Sequence, residues 1–127
     1  MSTTEIRMKG SIPIFRIFDE EKAKEFYITF LEFGVDWEHR FEEELPLYMQ
    51  ISYGECVLHL SEHFGDSTPG SSIRIEVENI QLLHSKLLEK KYKYTRPGLE
   101  TTDWNTLEVR IGDPFGNKIV FYENIQK

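Results

Sequence analysis

Two histidines, His59 and His63, stand four residues apart with Glu62 between them. On a helix that spacing would aim two imidazoles at one metal ion. The run Cys56-Val57-Leu58-His59-Leu60-Ser61 instead alternates with period two, which puts His59 in a strand and His63 in the loop after it. His59 is then expected to hydrogen-bond within a groove wall and His63 to face solvent. Two opposite-charge pairs, Arg74 with Glu76 and Glu108 with Arg110, recur at strand spacing. Such pairs either hold a sheet face in register or keep a carboxylate ionised at neutral pH, ready for a cationic ligand. Trp37, Tyr48 and Trp104 supply flat apolar surface. Trp37 shares parity with Val35 and Phe41 and is expected in the core. Trp104 stands among Thr101, Thr102, Asp103 and Asn105 and is expected at an interface or against a ligand. Cys56, the single cysteine, excludes an internal disulfide and is expected to serve as a small buried hydrophobe. No Ser-His-Asp ordering, P-loop or dinucleotide fingerprint occurs, and the glycines at Gly65 and Gly70 lack the lysine and following helix that cradle phosphate.

These groups must be positioned by a chain of 127 residues, long enough for one domain with a sizeable core. Its 22 acidic and 15 basic residues leave a net charge of −7. A surface of that sign repels a phosphate backbone and draws cations, so a nucleic-acid partner is not expected. No apolar stretch approaches the roughly 18 residues of a membrane span. Met1 to Gly10 also lacks the apolar core of a signal peptide, so the expected location is cytoplasmic and no membrane partner is expected.

Between Asp19 and Phe33, the residues Ala23, Phe26, Tyr27, Phe30 and Leu31 recur at helical spacing, with Asp19 as the cap and Gly34 as the left-handed stop. A second helix is predicted from Asn79, its cap, to Lys90, with a left-handed Lys91 after it. Period-two alternation predicts strands over Ser11–Phe18, Val35–Phe41, Leu47–Ser52, Glu55–Ser61, Ser72–Val77, Tyr92–Thr95, Thr106–Ile111 and Lys118–Glu123. The order β-α-β-β-β therefore occurs twice. It defines an α+β protein with module 1 over about 11–64, a linker over about 65–70 and module 2 over about 71–123.

Alternate strand residues point to opposite sides. One side collects Phe15, Ile17, Cys56, Leu58, Leu60, Ile73, Ile75, Val77, Ile119 and Phe121, a uniformly apolar set that should lie under the helices. The other collects Ile12, Ile14, His59, Ser61, Ser72, Arg74, Glu76, Glu108, Arg110, Lys118, Val120 and Tyr122. Charges in mid-sheet must meet water, a partner or a ligand, so this side is expected to wall a groove. The acidic run Glu42-Glu43-Glu44 reads as a solvated hairpin.

The run Ile14-Phe15-Arg16-Ile17-Phe18-Asp19, with Lys22-Ala23-Lys24-Glu25-Phe26-Tyr27 and Phe30-Leu31-Glu32-Phe33-Gly34, resembles the first module of the glyoxalase/bleomycin-resistance (vicinal oxygen chelate) superfamily. Asp113-Pro114-Phe115-Gly116-Asn117 is similar to its Asp-Pro-x-Gly-Asn turn. The resemblance spans about 11–123 and implies two paired modules curled into an incomplete barrel around a cleft, in a homodimer. It also implies four metal-holding places, which fall here on Ile12, His59, Ser72 and Val120. Only His59 has a side chain that could ligate, and a divalent ion needs three or four protein donors. The resemblance thus runs to the non-catalytic, bleomycin-resistance branch, whose members sequester a drug without transforming it. Trp104 matches the tryptophan of that branch's Trp-Gly pair, with Asn105 in place of the glycine. The implied function is sequestration of a cationic antibiotic such as bleomycin, with no cofactor. Tyr48, His59, Ser72, Arg74, Glu76, Trp104, Glu108, Arg110 and Tyr122 are the expected ligand-binding residues. The alternative is a metal-dependent glyoxalase-like lyase or dioxygenase with ligands displaced to His59, Glu76 and Glu108.

Overall fold

A computed structural model of the chain describes residues 4–125. Module 1 runs β1 (Ile14–Arg16), α1 (Glu20–Lys24) continuing as a π-helical segment (Glu25–Phe30), β2 (Gly34–His39), β3 (Tyr48–Tyr53) and β4 (Cys56–Ser61). Module 2 repeats the order with β5 (Ser72–Glu76), α2 (Ile80–Glu89), β6 (Leu99–Thr101), β7 (Thr106–Gly112) and β8 (Lys118–Asn124). Each module makes a four-stranded sheet of the same topology, β1-β4-β3-β2 and β5-β8-β7-β6. In both, the strand before the helix pairs parallel with the last strand, and the rest are antiparallel. This is the α+β architecture read from the doubled pattern, and the two sheets do not close into a barrel. No helix among the described residues is long and apolar enough to cross a membrane.

The apolar sides of both sheets lie in or against one hydrophobic cluster. Phe15, Leu58 and Leu60 of the first sheet and Ile119 and Phe121 of the second are buried there with Phe26, Phe30, Ile80 and Leu87 of the helices. The modules are tied through the Asp113 turn. Its buried carboxylate accepts from the backbone N–H groups of Phe115 and Asn117 at 2.8 Å each, from Asn117 Nδ2 at 2.9 Å and from the Tyr27 hydroxyl at 2.6 Å. Asn117 Nδ2 also donates to the Arg16 carbonyl of β1 at 2.9 Å. Gly116 turns the chain at φ 91°, a left-handed value that favours glycine.

Local expectations fare unevenly. Asp19 caps the first helix by accepting from the Lys22 N–H at 2.9 Å, and Lys91 is left-handed at φ 50°. Gly34, however, is not the first helix's stop. The left-handed residue is Glu32 at φ 66°, and Phe33 N–H closes back on the Tyr27 carbonyl, so the reversal is complete before Gly34 enters β2. Asn79 is itself left-handed at φ 66° and makes no side-chain cap. Glu123 of β8 caps instead, accepting from the Asn79 and Ile80 N–H groups at 3.0 and 2.9 Å. The predicted first strand shrinks to Ile14–Arg16, because Pro13 has no N–H and offers β4 only its carbonyl. Tyr92–Thr95 is not a strand. Tyr92 turns inward to stack on Phe30, ring centroids 4.6 Å apart, and the sixth strand starts only after Pro97, at Leu99.

The Tyr27 hydroxyl should matter through its bond to a buried carboxylate. Tyr27→Phe removes one of four donors and is expected to cost about 1.5–3 kcal/mol in urea unfolding, the usual worth of a hydrogen bond to a charged group.

Candidate functional site

The outer face of the first sheet is organised by a bulge. Val35 stands opposite Ile51 and Trp37 opposite Gln50, so Asp36 is the extra residue between them. An extra residue reverses the parity that follows it. Trp37 is therefore not in the core as its parity with Val35 predicts. It is 43% exposed, stacked on Tyr48 with ring centroids 6.0 Å apart and planes 11° from parallel, and edge-on to His59 at 5.4 Å.

These rings are joined to a directed chain of hydrogen bonds. Ser52 Oγ and Gln50 Nε2 donate to the two oxygens of Asp36 at 3.0 and 3.1 Å. With its amide nitrogen committed there, Gln50 presents Oε1 to His59 Nε2 at 3.0 Å, so that ring nitrogen must carry the proton. Burial holds the His59 pKa below the ordinary 6.5, which leaves the ring neutral at pH 7 and Nδ1 an acceptor. Tyr48 donates its hydroxyl proton to Nδ1 at 2.7 Å. The Tyr48 oxygen can then only accept from a ligand. His63, expected in solvent, is half-buried with its ring 6.4 Å from Tyr48.

The outer face of the second sheet is built around Glu108. Its carboxylate is fully buried. One oxygen accepts from Arg74 Nη2 and Thr106 Oγ1 at 2.9 Å each and from the Trp104 indole N–H at 3.3 Å; the other accepts from Arg110 Nη2 at 2.9 Å. Burial alone would raise its pKa, but the donors from Arg74, Thr106, Arg110 and Trp104 outweigh that and hold it at about 2. Arg74 also lies over the Tyr122 ring, its Cζ 4.4 Å from the centroid, a cation–π contact. Trp104 is 59% exposed. Asn105, where the related pair has glycine, adopts the left-handed conformation at φ 67°, one that asparagine tolerates better than most residues. Glu76 is exposed and accepts from Asn124 Nδ2 at 3.3 Å, and Ser72 is exposed at the start of β5.

The expected site residues therefore form two groups, Tyr48 and His59 on one sheet and Ser72, Arg74, Glu76, Trp104, Glu108, Arg110 and Tyr122 on the other. Among the described residues no hydrogen bond, ion pair or ring contact links the groups. Asp36, Gln50, Thr106 and the outward Trp37 are the members that sequence reasoning missed. The parity of Tyr48 and Ser52 would have found Gln50, whereas nothing in the sequence announces the bulge.

The four metal places of related enzymes do not fit a metal here. Ile12 and Val120 offer hydrocarbon, Ser72 a hydroxyl, and both nitrogens of His59 are engaged. Of the displaced set of His59, Glu76 and Glu108, His59 has both ring nitrogens engaged and Glu108 both carboxylate oxygens, which leaves Glu76 alone with oxygen to offer. Among the described residues no three His, Cys, Asp or Glu side chains are grouped to hold an ion.

The chain belongs to the glyoxalase superfamily, whose family model matches residues 1–127. A putative glyoxalase family protein from Bacillus anthracis has a similar structure, with TM-score 0.69 and 18% identity over 95% of this chain and 99% of that one. A bleomycin-binding protein complexed with bleomycin gives TM-score 0.69 and 18% identity over 92% and 99%. An antibiotic-binding protein, TnmS3 from a Streptomyces species, gives 0.66 and 19% over 94% and 99%. No curated protein sequence matches the chain significantly.

Two measurements probe the faces. Nitrogen-15 NMR should find His59 as the Nε2–H tautomer, titrating below 6.5. Because the Glu108 pKa falls from 4.5 unfolded to about 2 folded, its contribution to stability is complete above the first value and disappears as pH drops toward the second. Glu108→Gln should flatten that acid limb and cost about 1–2 kcal/mol at pH 7, toward the low end because both arginines can turn to water.

Proposed function

We propose that this protein binds a small molecule and holds it without chemistry, in a cleft whose two walls are the outer face of the first sheet in one copy and that of the second sheet in another. The carrying observation is the shared core. Each sheet turns its apolar side to the same hydrophobic cluster, so the polar sides diverge within one chain, which supports a second copy as the opposite wall. Both walls have the mixed aromatic and polar character of a ligand site.

Trp37 and Tyr48 stack on planar groups of the ligand, and Trp104 and Tyr122 supply the same surface opposite. The Tyr48 oxygen and the Glu76 carboxylate accept from ligand N–H groups. Arg74 and Arg110, each with donors left over, meet ligand carbonyls, Ser72 adds a hydroxyl, and His59, with both nitrogens engaged, holds Tyr48 in place. Glu108 acts as a positioning residue, since its oxygens are already engaged by four side chains. The net charge of −7 favours a cation, and a bleomycin-type antibiotic combines planar groups, amines and carbonyls. The likeness in fold to bleomycin- and antibiotic-binding proteins supports this choice of ligand. The cytoplasm is the proposed compartment.

Calorimetry with metal-free bleomycin tests the reading. Saturable heat at one ligand per cleft is expected, and Trp37→Ala should weaken binding about thirtyfold, the ~2 kcal/mol typical of a buried aromatic anchor. No heat from bleomycin or a panel of cationic antibiotics, together with a monomeric mass by light scattering at micromolar concentration, would reject both the ligand and the shared cleft.

A further inference from the structure

A second concave site opens on the helix side of the second sheet and meets the outer faces only at Glu76. It is a crevice of about 760 Å³ between the β3–β4 turn of module 1 and the β5–α2 corner of module 2. Its volume is within the range of about 300–1,000 Å³ that suits drug-sized ligands. The floor is apolar, with Phe33 and Phe121 buried and Val77 and Leu83 half-buried. At the mouth stand Glu55, Glu76 and Glu78 against one cation, Lys86, and all four are exposed. Glu55 and Glu78 make no ion pair among the described residues, and the Glu76 partner is the neutral Asn124. Cys56, the chain's single thiol, lines the wall.

Hydrocarbon below and an excess of carboxylate above complement a molecule with an apolar body and a positive head. We propose that this crevice is a second ligand site, taking an amphipathic cation, an alkyl- or arylammonium whose hydrocarbon reaches Phe33, Val77, Leu83 and Phe121 while its charge stays between Glu55 and Glu78. A carboxylate at the rim keeps most of its hydration, so it selects the sign of the ligand, and the buried hydrocarbon sets the affinity. Apart from Glu76, which the two sites share, it uses no residue of either outer wall and needs no dimer, so with its charge between Glu55 and Glu78 it stands or falls separately from the cleft.

Cys56 reports on it directly. Burial pushes its thiol pKa up, so the resting group is protonated and slow to react, and any occupant shields it further. The experiment follows alkylation of the folded chain by N-ethylmaleimide, by mass, with hexyltrimethylammonium or hexanesulfonate present. Saturating ammonium is expected to slow alkylation about tenfold and the sulfonate less than about twofold, a difference that two nearby carboxylates can produce. In Glu55→Gln/Glu78→Gln, whose changes are both at the exposed rim, that difference should shrink to within about twofold. Val77→Trp should fill the floor and protect Cys56 with no additive. Equal protection by both amphiphiles, or protection by neither, overturns the proposal. Protection that grows with protein concentration alone overturns it too, because a second copy then covers the crevice.

Discussion

Four donors converge on the carboxylate of Asp113, and the joint between the two modules depends on them. Two are backbone N–H groups of its own turn, one is the Asn117 amide and one is the Tyr27 hydroxyl from the first helix. A buried carboxylate is tolerated only when its hydrogen-bonding capacity is filled, so the Tyr27 hydroxyl completes what the turn's own three donors begin. Burial, followed by the neighbouring Asp113 charge, raises the Tyr27 pKa well above its ordinary value, so the phenol remains a donor. Asn117 then reaches the Arg16 carbonyl, which extends the tie from the second sheet to the first. With the helix pinned, Phe26 and Phe30 are held against Tyr92, and one core serves both modules.

That shared core decides the chemistry outside it. Each sheet has one side to spend on hydrocarbon, and both spend it inward, so the polar side chains are left facing solvent on diverging surfaces. Each surface is organised around one carboxylate, but in different ways. Glu108 is buried and collects donors from Arg74, Arg110, Thr106 and Trp104, which stiffens an otherwise mobile pair of arginines. Asp36 is exposed, and it acts through a relay. By accepting from Gln50 it sets the amide, the amide sets the His59 tautomer, and the tautomer commits the Tyr48 proton. Either way the side chains are fixed before any ligand arrives, which lowers the ordering cost of binding.

The same engagement argues against reading His59 as a leftover metal ligand. Coordination through either ring nitrogen would break its bond to Tyr48 or to Gln50, and the places that would contribute further donors hold Ile12, Ser72 and Val120. The imidazole is better described as the middle of a hydrogen-bonded chain that orients an aromatic platform.

What could be read from the chain alone is what local periodicity encodes. Period-two and period-3.6 spacing separated strands from helices, revealed the doubled β-α-β-β-β order, and sorted apolar from polar sheet sides through Phe15, Leu58, Ile119 and their neighbours. The Asp113–Asn117 turn was visible as a motif, though not its grip on Tyr27. Everything that depended on a partner distant in sequence was settled by tertiary structure. The cap of the second helix comes from Glu123, Tyr92 leaves its predicted strand for the aromatic junction, and the bulge at Asp36 turns Trp37 outward onto Tyr48. A single inserted residue reverses every parity after it, and a hydrogen bond between residues dozens of positions apart leaves no periodic trace. The types of the site residues could therefore be listed from sequence, whereas their division between two opposed surfaces followed only from packing both sheets on one core.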